Sequence, residues 1–199
     1  MRSKDGALKP GDALILVDVQ RDFLPGGALA VPRGHEVIPP LNALIRLFEE
    51  EGLPVFASRD WHPPDHSSFK EHGGIWEPHC VAESEGAAFP DELELPDELE
   101  VISKATEHAK DAYSCFEGTD LERRLKEMGV KRVFIGGLAT EYCVLNSVRD
   151  AAQAGLEVIV IEDAIRPIRE DAADWARRRM EKAGARFARS VDVSRARAA

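Results

Sequence analysis

At 199 residues, with 44% apolar and 31% charged side chains, the chain has the make-up of a globular protein and enough length for one well-packed domain spanning 1–199. It carries 26 basic against 36 acidic residues, a net charge of -10, which disfavours nucleic acid and anionic membrane as partners. No apolar run is long enough to cross a bilayer, Met1 to Asp5 lack an apolar secretory core, and three cysteines are too sparse for a disulfide framework, so a reducing cytoplasm is the expected setting.

Short apolar runs alternate with helical patterns along the chain. Ala13 to Val17 reads as a buried strand, as do Pro54 to Ala57, Val101-Ile102, Val133 to Ile135 and Val158 to Ile161, with Ala185 to Ala188 as a weaker sixth. Helical stretches fall near 37–50, 120–128, 141–154 and 171–183, and Thr119-Asp120-Leu121-Glu122 has the form of a capping box. Each helix stops at a glycine followed by an apolar residue: Gly52-Leu53, Gly129-Val130, Gly155-Leu156 and Gly184-Ala185. That is the helix-to-strand return of a repeated β-α-β unit, which predicts an open α/β fold with a mostly parallel six-stranded sheet.

One region breaks the alternation. Arg59 to Leu99 is rich in Pro, Gly and acidic residues, and a stretch that long inside a compact domain is usually functional or disordered. It holds Asp60-Trp61-His62 and His66, then Trp76-Glu77-Pro78-His79-Cys80, and four of the six histidines lie between 62 and 79. Neutral imidazoles beside a carboxylate suit Zn, Fe or Mn, so Asp60, His62, His66 and His79 read as a metal site on a loop, with His72 as the nearest rival. The acidic run from Glu83 to Glu100 reads as a solvated face.

In parallel sheets, sites form beyond the carboxyl ends of the strands. Asp18, Asp60, Lys104 and Cys143 each fall just after a different apolar run, placing four reactive groups at one rim. Thr140 is a plausible N-cap, which puts Cys143 in a first helical turn where free N–H groups favour a thiolate, and Gly136-Gly137 would let backbone approach a substrate. Burial would raise the pKa of Asp18 and suit it to exchange protons with a thiol, with Lys104 as its partner. The bland readings are a packing cysteine, a turn-capping aspartate and a surface lysine. Cys80 and Cys115 read as packing residues.

The chain resembles the nicotinamidases, also called pyrazinamidases, of the isochorismatase-like cysteine hydrolases. The likeness rests on Ala13 to Phe23, Pro25 to Leu29, Arg59 to Phe69, Trp76 to Val81, Lys104, Tyr113-Ser114, Phe116 to Gly118, Gly136 to Val144 and Asp163-Ala164, spread over about residues 12 to 188. The resemblance implies a three-layer Rossmann-like fold and a catalytic triad of Asp18, Lys104 and Cys143. It implies one divalent metal ion, Zn or alternatively Fe or Mn, on Asp60, His62, His66 and His79. Phe23 and Trp76 would flank a pyridine ring, and Tyr113 would belong to the same wall. A cis Leu138-Ala139 peptide would aim the Ala139 and Cys143 amides at a developing oxyanion. The implied activity is hydrolysis of nicotinamide, and also of pyrazinamide, by a cytoplasmic enzyme of NAD salvage, with a homo-oligomer left open. Three other readings remain: another amide or carbamoyl hydrolase, a metallohydrolase that would not need Cys143, and an idle binding protein.

Overall fold

The computed structural model describes residues 6–194, so Met1 to Asp5, on which the missing-leader reading rests, lie outside the described residues. Six strands, β1 (Asp12–Val17), β2 (Val55–Asp60), β3 (Glu100–Lys104), β4 (Arg132–Leu138), β5 (Glu157–Arg166) and β6 (Arg186–Ala188), form one sheet in the order β3-β2-β1-β4-β5-β6. Every neighbouring pair is parallel. The helices α1 (Ile38–Glu50), α2 (Leu121–Glu127), α3 (Leu145–Gln153) and α4 (Glu170–Lys182) supply four of the five crossovers, and the irregular stretch after β2 supplies the fifth.

The three layers follow from alternation along buried strands. In β1, Leu14 and Leu16 face one way and pack with Leu41, Leu44, Ile45 and Phe48 of α1. Ala13, Ile15 and Val17 face the other way, against Leu121 and Leu125 of α2, Val148 and Ala151 of α3, and Ala176 and Met180 of α4. Successive strand side chains point to opposite faces, so an unbroken apolar run is what a strand covered on both sides requires. Each fully buried Leu, Ile or Phe contributes about 1.5–3 kcal/mol.

The strands run past their apolar runs because charges pair across the sheet. Asp12 and Arg132 are register neighbours at one end, where Arg132 donates to Asp12 Oδ1 at 2.8 Å and Oδ2 at 2.6 Å. Asp60 and Lys104 are register neighbours at the other end. Apolar patterning cannot see such pairs, so all four residues lie inside strands that the sequence reading ended early or began late.

The four glycine stops behave as expected. Gly52, Gly129, Gly155 and Gly184 all adopt positive φ, and the amide after each reaches back five residues, as Leu53 N does to Phe48 O at 2.8 Å. The capping box does not form. Asp120 holds the N-cap position without a side-chain cap bond, and the Thr119 hydroxyl donates to Cys115 O at 2.7 Å while accepting the Leu121 amide at 3.3 Å. The acidic run stays on the surface, with Asp91 and Glu94 paired to Arg21 and Arg46. No described helix is long and apolar enough to cross a membrane.

Candidate active site and metal centre

The strand order reverses between β1 and β4, and the crevice beyond their carboxyl ends gathers the reactive groups. Asp18 follows β1 in the left-handed region, at φ 48, a conformation that costs about 1–3 kcal/mol and persists where its surroundings hold it. The Ser58 hydroxyl donates to Asp18 Oδ1 at 2.6 Å, and Lys104 Nζ lies 3.0 Å from Asp18 Oδ2. Lys104 also donates to Asp60 Oδ1 and to Ala112 O, the latter at 3.0 Å, and stands 3.6 Å from Cys143 Sγ. A lysine at 1% exposure is tolerated because two carboxylates surround it. Burial works against its charge, but Asp18 and Asp60 hold its pKa well above the ordinary lysine value. Burial pushes both the Asp18 carboxyl and the Cys143 thiol upward, and Lys104 opposes each shift. The pair is thus poised to share one proton.

Cys143 sits on a wider turn than an α-helix start. Thr140–Val144 is a π-helical turn leading into α3, and Val144 N reaches Ala139 O at 3.2 Å across five residues. Thr140 caps nothing; its buried hydroxyl oxygen has no partner among the described residues. The glycine pair serves sheet packing rather than substrate approach. A Cβ on Gly137, at φ +133, would lie 2.0 Å from Val17 O, and one on Gly136 would lie 2.8 Å from the Leu41 side chain.

Three of the four residues of the metal reading come together in the structure. Asp60, His62 and His79 are buried, and one donor atom of each lies within 4.8 Å of the others. His62 Nδ1 faces Ala105 O at 3.3 Å and His79 Nδ1 faces Glu77 O at 2.7 Å. A carbonyl only accepts, so each Nδ1 carries the proton and each Nε2 keeps its lone pair, the form that ligates. Burial, reinforced by His79 and His66, lowers the His62 pKa to about 3. These residues fit a divalent cation. His66 stacks beside His62 at 4.3 Å between ring centroids but stands outside the trio, with Nδ1 2.7 Å from Ser68 Oγ and Nε2 3.3 Å from Lys110 O. The rival His72 lies on the exposed surface, 6.5 Å from the His108 ring.

The two groups meet at Asp60, which clusters with Asp18 and Cys143 as well as with the histidines. The shared cleft is lined by Phe23, Trp76, Tyr113, Ala139 and Cys143 together with Asp60, His62 and His79. Trp76 Nε1 donates to the Tyr113 hydroxyl at 3.1 Å, so Tyr113 belongs to the wall. Leu138 does not line the cleft; it is fully buried in the core on the α1 side.

An isochorismatase domain matches residues 12–192. The chain belongs to the isochorismatase family. It is 36% identical over 197 residues to the nicotinamidase of Escherichia coli (strain K12), covering 88% of this chain and 92% of that one. The pyrazinamidase of Pyrococcus horikoshii, solved in complex with zinc, superposes with a TM-score of 0.88 at 49% identity, over 90% of this chain and 99% of that one. The PnC1 protein of L. infantum, solved in complex with nicotinate, superposes with a TM-score of 0.88 at 32% identity, over 95% and 98% of the two chains.

Within this isochorismatase-family site the Leu138-Ala139 peptide is cis, as the resemblance implied. Other contributors escaped the sequence reading. Phe69 packs under His62, His66 and His79, with ring centroids 5.4 to 5.8 Å away. Tyr142 meets the Trp76 ring at 5.3 Å and the Tyr113 ring at 5.7 Å. Glu141 accepts the Ile168 and Arg169 amides at 3.1 and 2.9 Å, tying the loop after β5 to the turn that carries Cys143. Gln20 is fully buried and grips the backbone of Asp60. All four stand close in sequence to a candidate site residue, but the roles of Gln20 and Glu141 depend on contacts with distant segments.

Proposed function

We propose that this chain is a nicotinamidase, hydrolysing nicotinamide to nicotinate and ammonia, and pyrazinamide by the same route. The observation that carries the reading is the sharing of Asp60 between the Cys143 group and the histidine group, which gives one cleft both a nucleophile and a cation site. Similarity to nicotinamidases and to a nicotinate-bound protein supports the substrate.

In this reading Asp18 takes the proton of Cys143, and the thiolate attacks the carboxamide carbon. The amides of Ala139 and Cys143 receive the oxyanion. Asp18 returns the proton to the leaving nitrogen, the C–N bond breaks, ammonia departs and a thioester remains. Asp18 then draws a proton from water, which attacks the thioester; the C–S bond breaks, the acid leaves and Asp18 returns the proton to Cys143. Lys104 keeps Asp18 ionised before the first transfer and holds Asp60 in place. Phe23, Trp76 and Tyr113 flank the ring and exclude water. Asp60, His62 and His79, with His66 as a fourth ligand, would hold a Zn, Fe or Mn ion that supplies a Lewis acid for the ring nitrogen. Residues 1–199 act in this reading as one domain on a small molecule in the cytoplasm, as a monomer or homo-oligomer.

Ammonia release from nicotinamide, pyrazinamide and an N-carbamoyl compound tests the assignment. Nicotinamide should be the better substrate, and a chelator should suppress its turnover. Cys143→Ala should lose at least about a thousandfold in rate while keeping its metal content. Wild-type turnover by Cys143→Ala would remove the cysteine from the mechanism, and a preference for the carbamoyl compound would replace the substrate.

A further inference from the structure

The reaction turns a neutral amide into an anion, and one charged residue of the cleft has no part in the steps above. Asp111 lines the same cleft as Cys143, His62 and Tyr113. Its Oδ1 accepts the Ala112 amide at 2.9 Å, and its carboxylate makes no salt bridge among the described residues. The contrast with the other acids of the site is direct, since Asp18 and Asp60 both face Lys104. The adjacent Lys110 turns away to Glu107, 3.8 Å distant. Asp111 therefore presents a carboxylate that no described side chain pairs with.

That charge is felt across the cleft. Burial dominates the upward shift of the Tyr113 hydroxyl on the cleft wall, and Asp111 adds to it. A neutral carboxamide entering the cleft gains or loses little in such a field. A carboxylate formed there is disfavoured by this one charge relative to the amide it replaces.

We propose that Asp111 is a specificity-determining residue that disfavours the carboxylate product and so speeds its release. The proposal rests on the nicotinamidase reading. Asp111 is partly exposed, so solvent screens its field and the effect on an anion should be modest, roughly threefold.

Asp111→Asn removes the charge and keeps an Oδ1 acceptor for Ala112. The inhibition constant of nicotinate should fall roughly threefold in this variant, with KM for nicotinamide changed far less, and the gap should close at about 0.5 M salt. Asp111→Glu, which retains the charge, should keep the wild-type inhibition constant. An unchanged inhibition constant in Asp111→Asn would overturn the proposal. So would a parallel fall in KM, which marks a change of shape rather than of charge. Calorimetric titration of nicotinate and nicotinamide makes the same comparison without turnover. Absence of ammonia release by the wild type would defeat the nicotinamidase reading, whereas normal release with indifferent nicotinate binding would defeat the role of Asp111 alone.

Discussion

Gln20 holds Asp60 by both of its backbone groups: Nε2 donates to the Asp60 carbonyl and Oε1 accepts the Asp60 amide, each at 2.8 Å. The same Nε2 reaches Ala87 O at 2.9 Å, so one buried amide joins the exit of β1, the end of β2 and the long loop. Gln20→Leu would leave two carbonyls and one N–H without these partners. At about 1–3 kcal/mol for each unsatisfied group, a loss of at least about 3 kcal/mol is expected in urea unfolding. Metal content after dialysis should fall as well, because Asp60 is freed. A variant matching the wild type in both measurements would show that Gln20 has no such role.

Gly137 is expected to tolerate no side chain. A Cβ there would lie 2.0 Å from Val17 O and 2.6 Å from Val17 N, both backbone atoms of the central strand, at a φ of +133 that L residues rarely adopt. Gly137→Ala should cost more than about 4 kcal/mol, the range of severe core lesions, and show as loss of soluble protein or a collapsed thermal midpoint. Gly26→Ala, where nothing lies within 4 Å of a Cβ, is the control; its φ of +94 leaves only local strain.

The three thiols should separate cleanly under alkylation. Burial pushes the Cys115 thiol up to about 12 and raises Cys80 too, and neither lines the cleft. Cys143 does line it. Burial also raises the Cys143 thiol against the pull of Lys104, so its labelling should accelerate as pH climbs past the ordinary thiol range. Peptide mass mapping should find loss of activity tracking Cys143 alone, with nicotinate protecting. Inactivation that followed Cys80 or Cys115 would contradict the site.

Glu36 should stabilise the fold at neutral pH by a contribution that acid removes. Hydrogen bonds from Arg33 and Arg166 lower its pKa from 4.5 to about 2. A carboxyl with a depressed folded pKa stabilises the fold above its unfolded pKa and loses that contribution as pH falls through the folded one. Thermal midpoints of wild type and Glu36→Gln should differ at pH 6 and converge between about pH 4.5 and pH 2. A gap that persisted to pH 2 would assign the difference to packing.

The legibility of the chain followed the range of the interactions involved. β1 and α1 were readable because burial on both faces of a parallel strand leaves an apolar run, and a capping glycine leaves a local mark. Asp18, Lys104 and Cys143 were readable for a related reason: each follows an apolar run closely, and a parallel sheet sends all such positions to one edge. The capping box failed because the helix starts one residue later, with Asp120 at the N-cap, and Thr119 bonds locally to Cys115 O and the Leu121 amide. The Thr140 cap failed because a π-turn replaced the α-helical start.

By itself, the order of residues determined the layers, the crossovers and the set of groups able to do chemistry, since hydrophobic periodicity and turn chemistry act over a few neighbouring positions. Only the tertiary structure decided that Asp60 serves two clusters, that His66 stands beside the trio, that Leu138 turns into the core and that Asp111 lines the cleft without an ion pair among the described residues. Those outcomes depend on atoms brought together from segments tens of residues apart. Short-range patterns carry no record of such distances.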